Sequence, residues 1–301
     1  MSDSVRVQAH AKVNLFLRVL SRETSGFHTL ETLFALLELH DTLTVERRPQ
    51  GITIEVDGAD TGPAQQNLAY RAAELVLDAT GRQFGVHLHL EKRVPVQAGL
   101  GGGSSDGAAA LHAVNAMAGN AVPRPEILQF AARLGSDVPF LASGAALAIG
   151  WGRGERLFRL PSPGPAPALV AVPREGVATK DAYELLDAWQ AREERRGAVV
   201  LDAAAFDTWG GIGRLGGNDF ENPVFGVRPE FRELFERMAE TRPLLVRLSG
   251  SGSAIVAIYK SETERDGAAL TVGERDQTLI RTAMRAQPAP APAGSSATAA
   301  T

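Results

Sequence analysis

Apolar side chains fall on alternate residues near the start of the chain: Val5, Val7, Ala9, Ala11, Val13, Leu15, Leu17 and Val19, with mainly polar residues between them. A period of two predicts a long strand with one buried face. Shorter runs predict strands over residues 42–46, 52–56 and 86–90, the last with His87 and His89 on the face opposite its apolar residues. Between them, residues 67–80 have helical spacing and stop at Gly81, a C-terminal cap. An Ala-, Leu- and Val-rich stretch over 104–118 predicts a helix that starts directly after a glycine run. Pro125 opens another helix, which runs to Leu134 and ends at Gly135. The Pro- and Gly-rich residues 162–167 predict a linker. Beyond it the spacing predicts a strand at 169–172, helices at 181–190 and 229–240, and strands at 244–248 and 254–259 flanking the turn Ser249-Gly250-Ser251-Gly252.

The residues 288–301 are Pro, Ala, Gly, Ser and Thr with no large apolar side chain, so a disordered tail is expected there. No repeat of solenoid length is visible. With 301 residues and 44% hydrophobic content, the chain has material for one large core or two ordinary ones. The absence of cysteine excludes a thiol nucleophile, a disulfide framework and a cysteine-ligated metal centre. No signal-length apolar stretch opens the chain and no run reaches membrane-spanning length, which makes a cytoplasmic protein without membrane partners the expectation. Net charge is only -4 with no basic cluster, so a nucleic-acid partner is not expected either. Lysine occurs only at positions 12, 92, 180 and 260, which makes each one conspicuous.

The densest chemical feature is Val94-Pro95-Val96-Gln97-Ala98-Gly99-Leu100-Gly101-Gly102-Gly103-Ser104-Ser105-Asp106, a strand exit, a glycine run and a helix start. Glycines let backbone amides crowd an anion, and a helix N-terminus adds unpaired amides and partial positive charge. The run is built like a phosphate cradle, in which Ser104 and Ser105 could cap the helix or offer hydroxyls to a phosphate or its magnesium ion. It is not a Walker A loop, because the chain contains no Gly-Lys dipeptide. Dinucleotide-fingerprint spacing recurs at Gly211, Gly213 and Gly216, but no strand is predicted before it and no helix after it, so a plain loop is expected.

The run from Pro95 to Asp106 resembles the central motif of the GHMP kinases, named for galacto-, homoserine, mevalonate and phosphomevalonate kinases. Its Gly-Gly-Gly-Ser-Ser form is similar to that of the members whose acceptor is 4-diphosphocytidyl-2-C-methyl-D-erythritol. Further resemblances fall in order over residues 10–259: Ala11-Lys12-Val13-Asn14-Leu15, Gly26-Phe27-His28, Asn67-Leu68-Ala69-Tyr70-Arg71-Ala72, Gly135-Ser136-Asp137-Val138-Pro139-Phe140 and Ser249-Gly250-Ser251-Gly252. Asn218-Asp219-Phe220-Glu221 also resembles a family motif, with no role assigned. Two departures are Gln97, where glycine is usual, and Phe27, where tyrosine is usual.

The resemblance implies a two-domain α+β GHMP kinase fold. An N-terminal ribosomal protein S5 domain 2-like domain would span residues 1–161 and a C-terminal ferredoxin-like domain residues 162–287, with the active site between them. It implies ATP and Mg2+ as cofactors, no metal site built by the protein alone, and a small-molecule acceptor whose 2-hydroxyl is phosphorylated in non-mevalonate isoprenoid synthesis. Taken singly, Lys12 reads as a solvated strand residue, Asp137 as a turn or cap residue, Phe27 as a core aromatic and His28 as a loop histidine. The resemblance makes Lys12 and Asp137 catalytic, with Asp137 accepting the hydroxyl proton. It puts the nucleotide at Asn67, Lys92, Pro95, Gly99, Leu100, Gly101, Gly102, Gly103, Ser104 and Ser105. It puts the acceptor at Asn14, Phe27, His28, Thr179, Tyr183, Gly250 and Gly252, with Phe27 and Tyr183 as faces for a cytosine ring and His28 reading its edge. The rival readings are a GHMP kinase for mevalonate, homoserine or a sugar, and a non-catalytic RNA-binding module of the same N-terminal fold.

Overall fold

The computed structural model describes residues 3–191 and 201–287. The expectation of a disordered tail at 288–301 falls outside these residues. In the first half, β1 (Ser4–Arg22) and β2 (His28–Arg48) form a long antiparallel hairpin, followed by β3 (Ile52–Asp57), α1 (Leu68–Ala79), β4 (Gly85–Glu91) and α2 (Gly102–Met117). Then come α3 (Arg124–Leu134), α4 (Val138–Ser143), β5 (Leu147–Gly152) and β6 (Arg156–Leu160). The second half contains β7 (Ala166–Pro173), α5 (Thr179–Gln190), α6 (Trp209–Arg214), α7 (Glu221–Val227) and α8 (Pro229–Glu240). It ends with β8 (Leu245–Leu248), β9 (Ile255–Ile258), α9 (Glu262–Val272) and β10 (Gln277–Met284).

β2 organises the first half. One edge carries β1 along its length, and the other pairs with β4 over residues 42–48 and with β5 over residues 30–35. Between those two partners, Leu37 meets Met284 of β10, which links the halves. In the second half the antiparallel order β10-β7-β9-β8, with helices between β7 and β8 and between β9 and β10 and a tight turn between β8 and β9, is a ferredoxin-like arrangement. Together the two halves make an α+β protein. No helix among the described residues is long and apolar enough to cross a membrane.

Three apolar clusters hold this frame. α1, α2 and α3 pack on β2 and β4 through Ala72, Val76, Leu111, Val114, Leu43 and Leu88. The apolar face of β1, through Ala11, Val13 and Leu15, turns instead to β7, β9 and α6, where it meets Val170, Val256 and Ile212. α5, α7, α8 and α9 cover the other face of β7 and β9. The expectation of one buried face for β1 needs correction: residues 9–17 are buried on both faces. Its polar face is roofed by loops carrying Gly101, Asp137 and Gly250, so the alternation there separates a core face from a cleft face.

Other differences have local causes. α2 starts two residues before the predicted helix, because Gly101, left-handed at φ 68°, turns the chain and lets Gly102 and Gly103 form the first turn. Gly211 and Gly213 lie in the short α6, capped by the Thr208 hydroxyl, where a loop was expected. The segment directly before them, Ala203–Asp207, is a 3-10 turn and not a strand, which leaves the dinucleotide reading without support. β5, β6, α4, α7, α9 and β10 were not predicted; most are short, and their one-sided burial arises from partners distant in sequence.

Candidate active site

Two strand irregularities flank the first two site residues. The β1–β2 register shifts between His10 and Lys12 and again between Asn14 and Phe16, and such bulges re-aim the side chains beside them. Lys12 and Asn14 share one face, and Lys12 Nζ donates to Asn14 Oδ1 at 2.7 Å. The Asn14 amide in turn donates to the Thr32 hydroxyl at 2.8 Å, which donates to the Phe16 carbonyl at 2.8 Å. Asn14 is thereby locked with its oxygen toward the ammonium.

Asp137 sits at the N-terminus of α4, yet its side chain makes no capping bond. Its Oδ2 lies 3.2 Å from Lys12 Nζ, with side-chain exposures of 30% and 4% for the pair. The lysine is sealed and the carboxylate faces open space, so a ligand would approach from the Asp137 side. An ammonium has three N–H donors; one goes to Asn14 and the ion pair with Asp137 holds the charge in place, so Nζ keeps donor capacity for an incoming oxygen.

The glycine run is fastened directly to this pair. The Lys12 amide donates to the Leu100 carbonyl at 2.9 Å, and the Ser105 hydroxyl donates to the His10 carbonyl at 2.7 Å. A Cβ on Gly101 would fall 2.8 Å from Lys12 Cγ, so only glycine lets the loop lie against the lysine stem. Ser105 therefore neither caps α2 nor presents its hydroxyl to a ligand, a correction to both expected uses; Leu100 contributes its backbone while its side chain is core. Ser104 stays half-buried beside the exposed Gly103 at the helix start. There the first-turn amides lack intrahelical partners.

The loop separates two clefts. The larger, of about 1200 Å³, runs from Lys12, Asn14, Asp137 and Gly250 to Phe27, His28, Thr179, Tyr183 and Asp187. The smaller, of about 560 Å³, is bordered by Asn67, Lys92, Pro95, Gly102, Gly103 and Ser104. Gly99 and Gly101 line both. In the smaller cleft the polar ends of two expected nucleotide residues are already engaged. Asn67 Oδ1 caps α1 by accepting from the Ala69 amide at 2.9 Å, and its Nδ2 donates to Thr61 at 3.2 Å. Lys92 Nζ is buried between Asp41 and Asp106, the latter at 2.7 Å. Burial pushes Asp106 up to about 7, against the pull of Lys92 and with help from Asp41. Asp41 also accepts from the Val94 amide at 2.7 Å, so this cluster holds the entry to the glycine run.

At the far end of the larger cleft, His28 stacks on Tyr183, centroids 4.6 Å apart and planes at 23°. Phe27 is 56% exposed and lies under the guanidinium of Arg153 at 3.8 Å, while Arg153 pairs with Glu23. His28 and Tyr183 are thus brought together, and Phe27 is placed separately on the rim. Burial, aided by the Asp137 charge, pushes the Tyr183 hydroxyl up to about 12. Thr179 accepts from Ser251 at 3.2 Å, which ties α5 to the glycine turn.

Several supporting residues had no assigned role in the sequence. Asn218 donates to the carbonyls of Leu248 and Gly250 at 2.8 and 2.6 Å, Asp219 accepts from the Val19 amide at 2.9 Å, and Glu221 accepts from the Leu248 amide at 3.1 Å. The Asn218-Asp219-Phe220-Glu221 segment is therefore a clip that sets the Ser249–Gly252 turn over β1, and the turn answers through Ser249, which donates to the Gly99 carbonyl at 2.9 Å. The motif resemblance was the only signal for it. Asp187 and Arg153 carried none, because each acts on a residue more than a hundred positions away.

The pair of a buried lysine and an open carboxylate, the glycine run at a helix start and the two clefts meeting at that run define a small-molecule kinase of the GHMP type. Family models agree over much of the chain: the GHMP kinases N terminal domain matches residues 67–150 and the GHMP kinases C terminal domain residues 202–276. The 4-diphosphocytidyl-2-C-methyl-D-erythritol kinase of Pelotomaculum thermopropionicum is 38% identical, with 90% of this chain and 95% of that protein covered. A crystal structure of 4-(cytidine 5'-diphospho)-2C-methyl-D-erythritol kinase superposes with a TM-score of 0.80 at 36% identity, covering 93% of this chain and 99% of that one. Homoserine kinase from Cytophaga hutchinsonii, at 20% identity, TM-score 0.67 and 96% coverage of both chains, shares the fold. The chain belongs to the 4-diphosphocytidyl-2-C-methyl-D-erythritol kinase family.

Proposed function

We propose that the chain transfers the γ-phosphoryl group of ATP to the 2-hydroxyl of 4-diphosphocytidyl-2-C-methyl-D-erythritol, releasing ADP and the 2-phosphate in the methylerythritol route to isoprenoid precursors. The observation that carries this reading is the Lys12–Asp137 pair, 3.2 Å apart where the two clefts meet at the glycine run. The acceptor hydroxyl sits against Asp137, whose carboxylate takes its proton as the new O–P bond forms and the bond to the leaving ADP oxygen breaks. The remaining N–H of Lys12 faces the transferred phosphoryl and counters charge on its oxygens. Asn14 keeps the ammonium in place. The amides of Gly102, Gly103 and Ser104 hold the ATP phosphates at the start of α2. Much of the rate comes from holding hydroxyl and phosphorus in line, which two clefts sharing one wall are shaped to do.

The nucleotide lies in the smaller cleft by Asn67, Lys92 and Pro95, where Lys92 acts through its charge and through Asp41 and Asp106. The cytidyl acceptor lies in the larger cleft, with its base near Phe27, His28 and Tyr183 and its polyol near Asn14, Thr179, Gly250 and Gly252. Among the described residues no group of three or more His, Cys, Asp or Glu side chains could hold a metal ion. The half-buried Ser104 beside the exposed Gly103 leaves an oxygen at the helix start for magnesium arriving on the triphosphate, since Mg²⁺ binds through substrate phosphates, water and one or two protein oxygens. The Ser104 hydroxyl is the protein oxygen we assign to it. When bound, the ion neutralises phosphate charge. The two halves correspond to domains over residues 1–161 and 162–287, and a cytoplasmic location, where ATP is supplied, belongs to the same proposal.

The test is ADP release with ATP and magnesium, offering the cytidyl acceptor in parallel with mevalonate and homoserine. Turnover with the cytidyl compound alone is expected. Preference for mevalonate or homoserine overturns the substrate, and the absence of turnover with every acceptor overturns the activity.

A further inference from the structure

Asp187 lies one turn after Tyr183 on α5, so both side chains point to the same side of the helix. Its Oδ1 is 2.7 Å from His28 Nε2, and its Oδ2 pairs with Arg22 at 3.3 Å. A carboxylate paired with a guanidinium is an acceptor, so the hydrogen of that His28 contact resides on Nε2. With the imidazole neutral its single N–H is then on Nε2, and Nδ1 is a bare acceptor. Nδ1 has no partner among the described residues and is not one of the polar atoms sealed from solvent. Stacking on Tyr183 and the bond to Asp187 fix the ring in two directions, along the wall of the cleft that leads to Lys12 and Asp137.

We propose that Asp187 is a positioning residue: supported by Arg22, it holds His28 with Nδ1 as an acceptor and thereby selects cytosine over uracil. The inference rests on the cytidyl reading of the larger cleft and extends it. Cytosine presents an exocyclic amine, a donor, where uracil presents a carbonyl oxygen. A fixed acceptor bonds the first and meets the second lone pair to lone pair. A site built around a specific hydrogen bond rejects the ligand that leaves it unmade. A freely rotating histidine, able to adopt either tautomer, would accept both bases.

The experiment measures acceptor turnover for wild type, Asp187→Asn and Asp187→Glu, with cytidine 5'-diphosphate and uridine 5'-diphosphate as competitors of the acceptor. It also records the long-range ¹H–¹⁵N spectrum of His28 in the wild type. In Asp187→Asn, whose amide can donate or accept, KM for the acceptor is expected to rise and the preference for the cytidine competitor to fall, each by about tenfold. The kcat is expected to change much less, and Asp187→Glu to restore part of the preference. The spectrum is expected to show the Nε2–H tautomer. An unchanged preference and KM in Asp187→Asn, or a wild-type spectrum with the proton on Nδ1, overturns the inference while leaving the kinase reading intact. A wild-type enzyme that does not phosphorylate the cytidyl acceptor removes both.

Discussion

At the Lys12–Asp137 end of the larger cleft most supporting contacts run to backbone, and at the His28 end most run between side chains. Lys12 is bound through its amide to Leu100, Ser105 to the His10 carbonyl, Asn218 to two carbonyls of the turn, and Ser249 to the Gly99 carbonyl. Around His28 the contacts are a ring on a ring, a carboxylate on an imidazole and guanidinium groups on Phe27 and Asp187. Backbone contacts place atoms rigidly and depend on glycine or small residues that cannot be exchanged. Side-chain contacts allow substitution, as Phe27 illustrates, standing where relatives of the motif usually have tyrosine. On the proposed reading, phosphoryl transfer falls on the rigid frame and base recognition on replaceable groups.

That contrast can be broken first at its rigid end. Asp137→Ala should lower kcat by about 10²- to 10⁴-fold, the usual worth of a positioned acid or base, with a smaller change in acceptor KM. A steady-state assay on correctly folded protein checks this, and near-normal kcat would remove Asp137 from the chemistry. Gly101→Ala tests the wall itself: the new methyl meets Lys12 Cγ at 2.8 Å and the backbone stays at φ 68°. Strain of about 1–3 kcal/mol should appear in denaturant unfolding, together with a kcat loss from displacing Lys12. A variant as active and stable as wild type would show the loop to be more yielding than its packing implies.

At the replaceable end the expected effects are smaller and fall on binding. Phe27→Ala should raise acceptor KM by about tenfold, in the range of base-stacking losses of ~1–3 kcal/mol, with kcat nearly kept. Phe27→Tyr should bind at least as well as wild type, and a kcat effect from either change would blur the division. The smallest effect concerns stability. Asp106 is raised from its ordinary value to about 7 by burial, so its contribution to stability is full below the unfolded value of 3.8 and is lost as pH climbs through about 7. Asp106→Asn lacks this titration and should gain in Tm relative to wild type as pH rises from about 4 to 7. A constant difference in Tm over that window would mean that Asp106 does not titrate there.

Much of this was legible in residue order. The helix from Asn67 to Gly81, the glycine run before α2, the flanks of the Ser249–Gly252 turn and α8 announced themselves through spacing, capping and turn chemistry, which are local properties. The motifs carried most of the candidate site. β5, β6 and β10 were missed because their burial depends on β2 and β7. The engaged states of Lys92, Asn67 and Ser105 were missed because no spacing rule records which carbonyl or carboxylate waits at the other end. The clip at Asn218–Glu221 was noticed as a pattern and acquired a role only from its bonds to β1 and the turn.

By itself the sequence determined the helices and strands with strong local periodicity, the glycine run that leads into α2, and the family to which the motifs point. These depend on interactions between near neighbours, whose geometry follows from φ, ψ and spacing. Only the tertiary structure decided that the polar face of β1 is buried, that Lys12 meets Asp137 across 125 positions, and that His28 lies between Tyr183 and Asp187. Such pairings arise from the packing of β1, α4 and α5 around one cleft, and packing is a property of the whole chain in three dimensions.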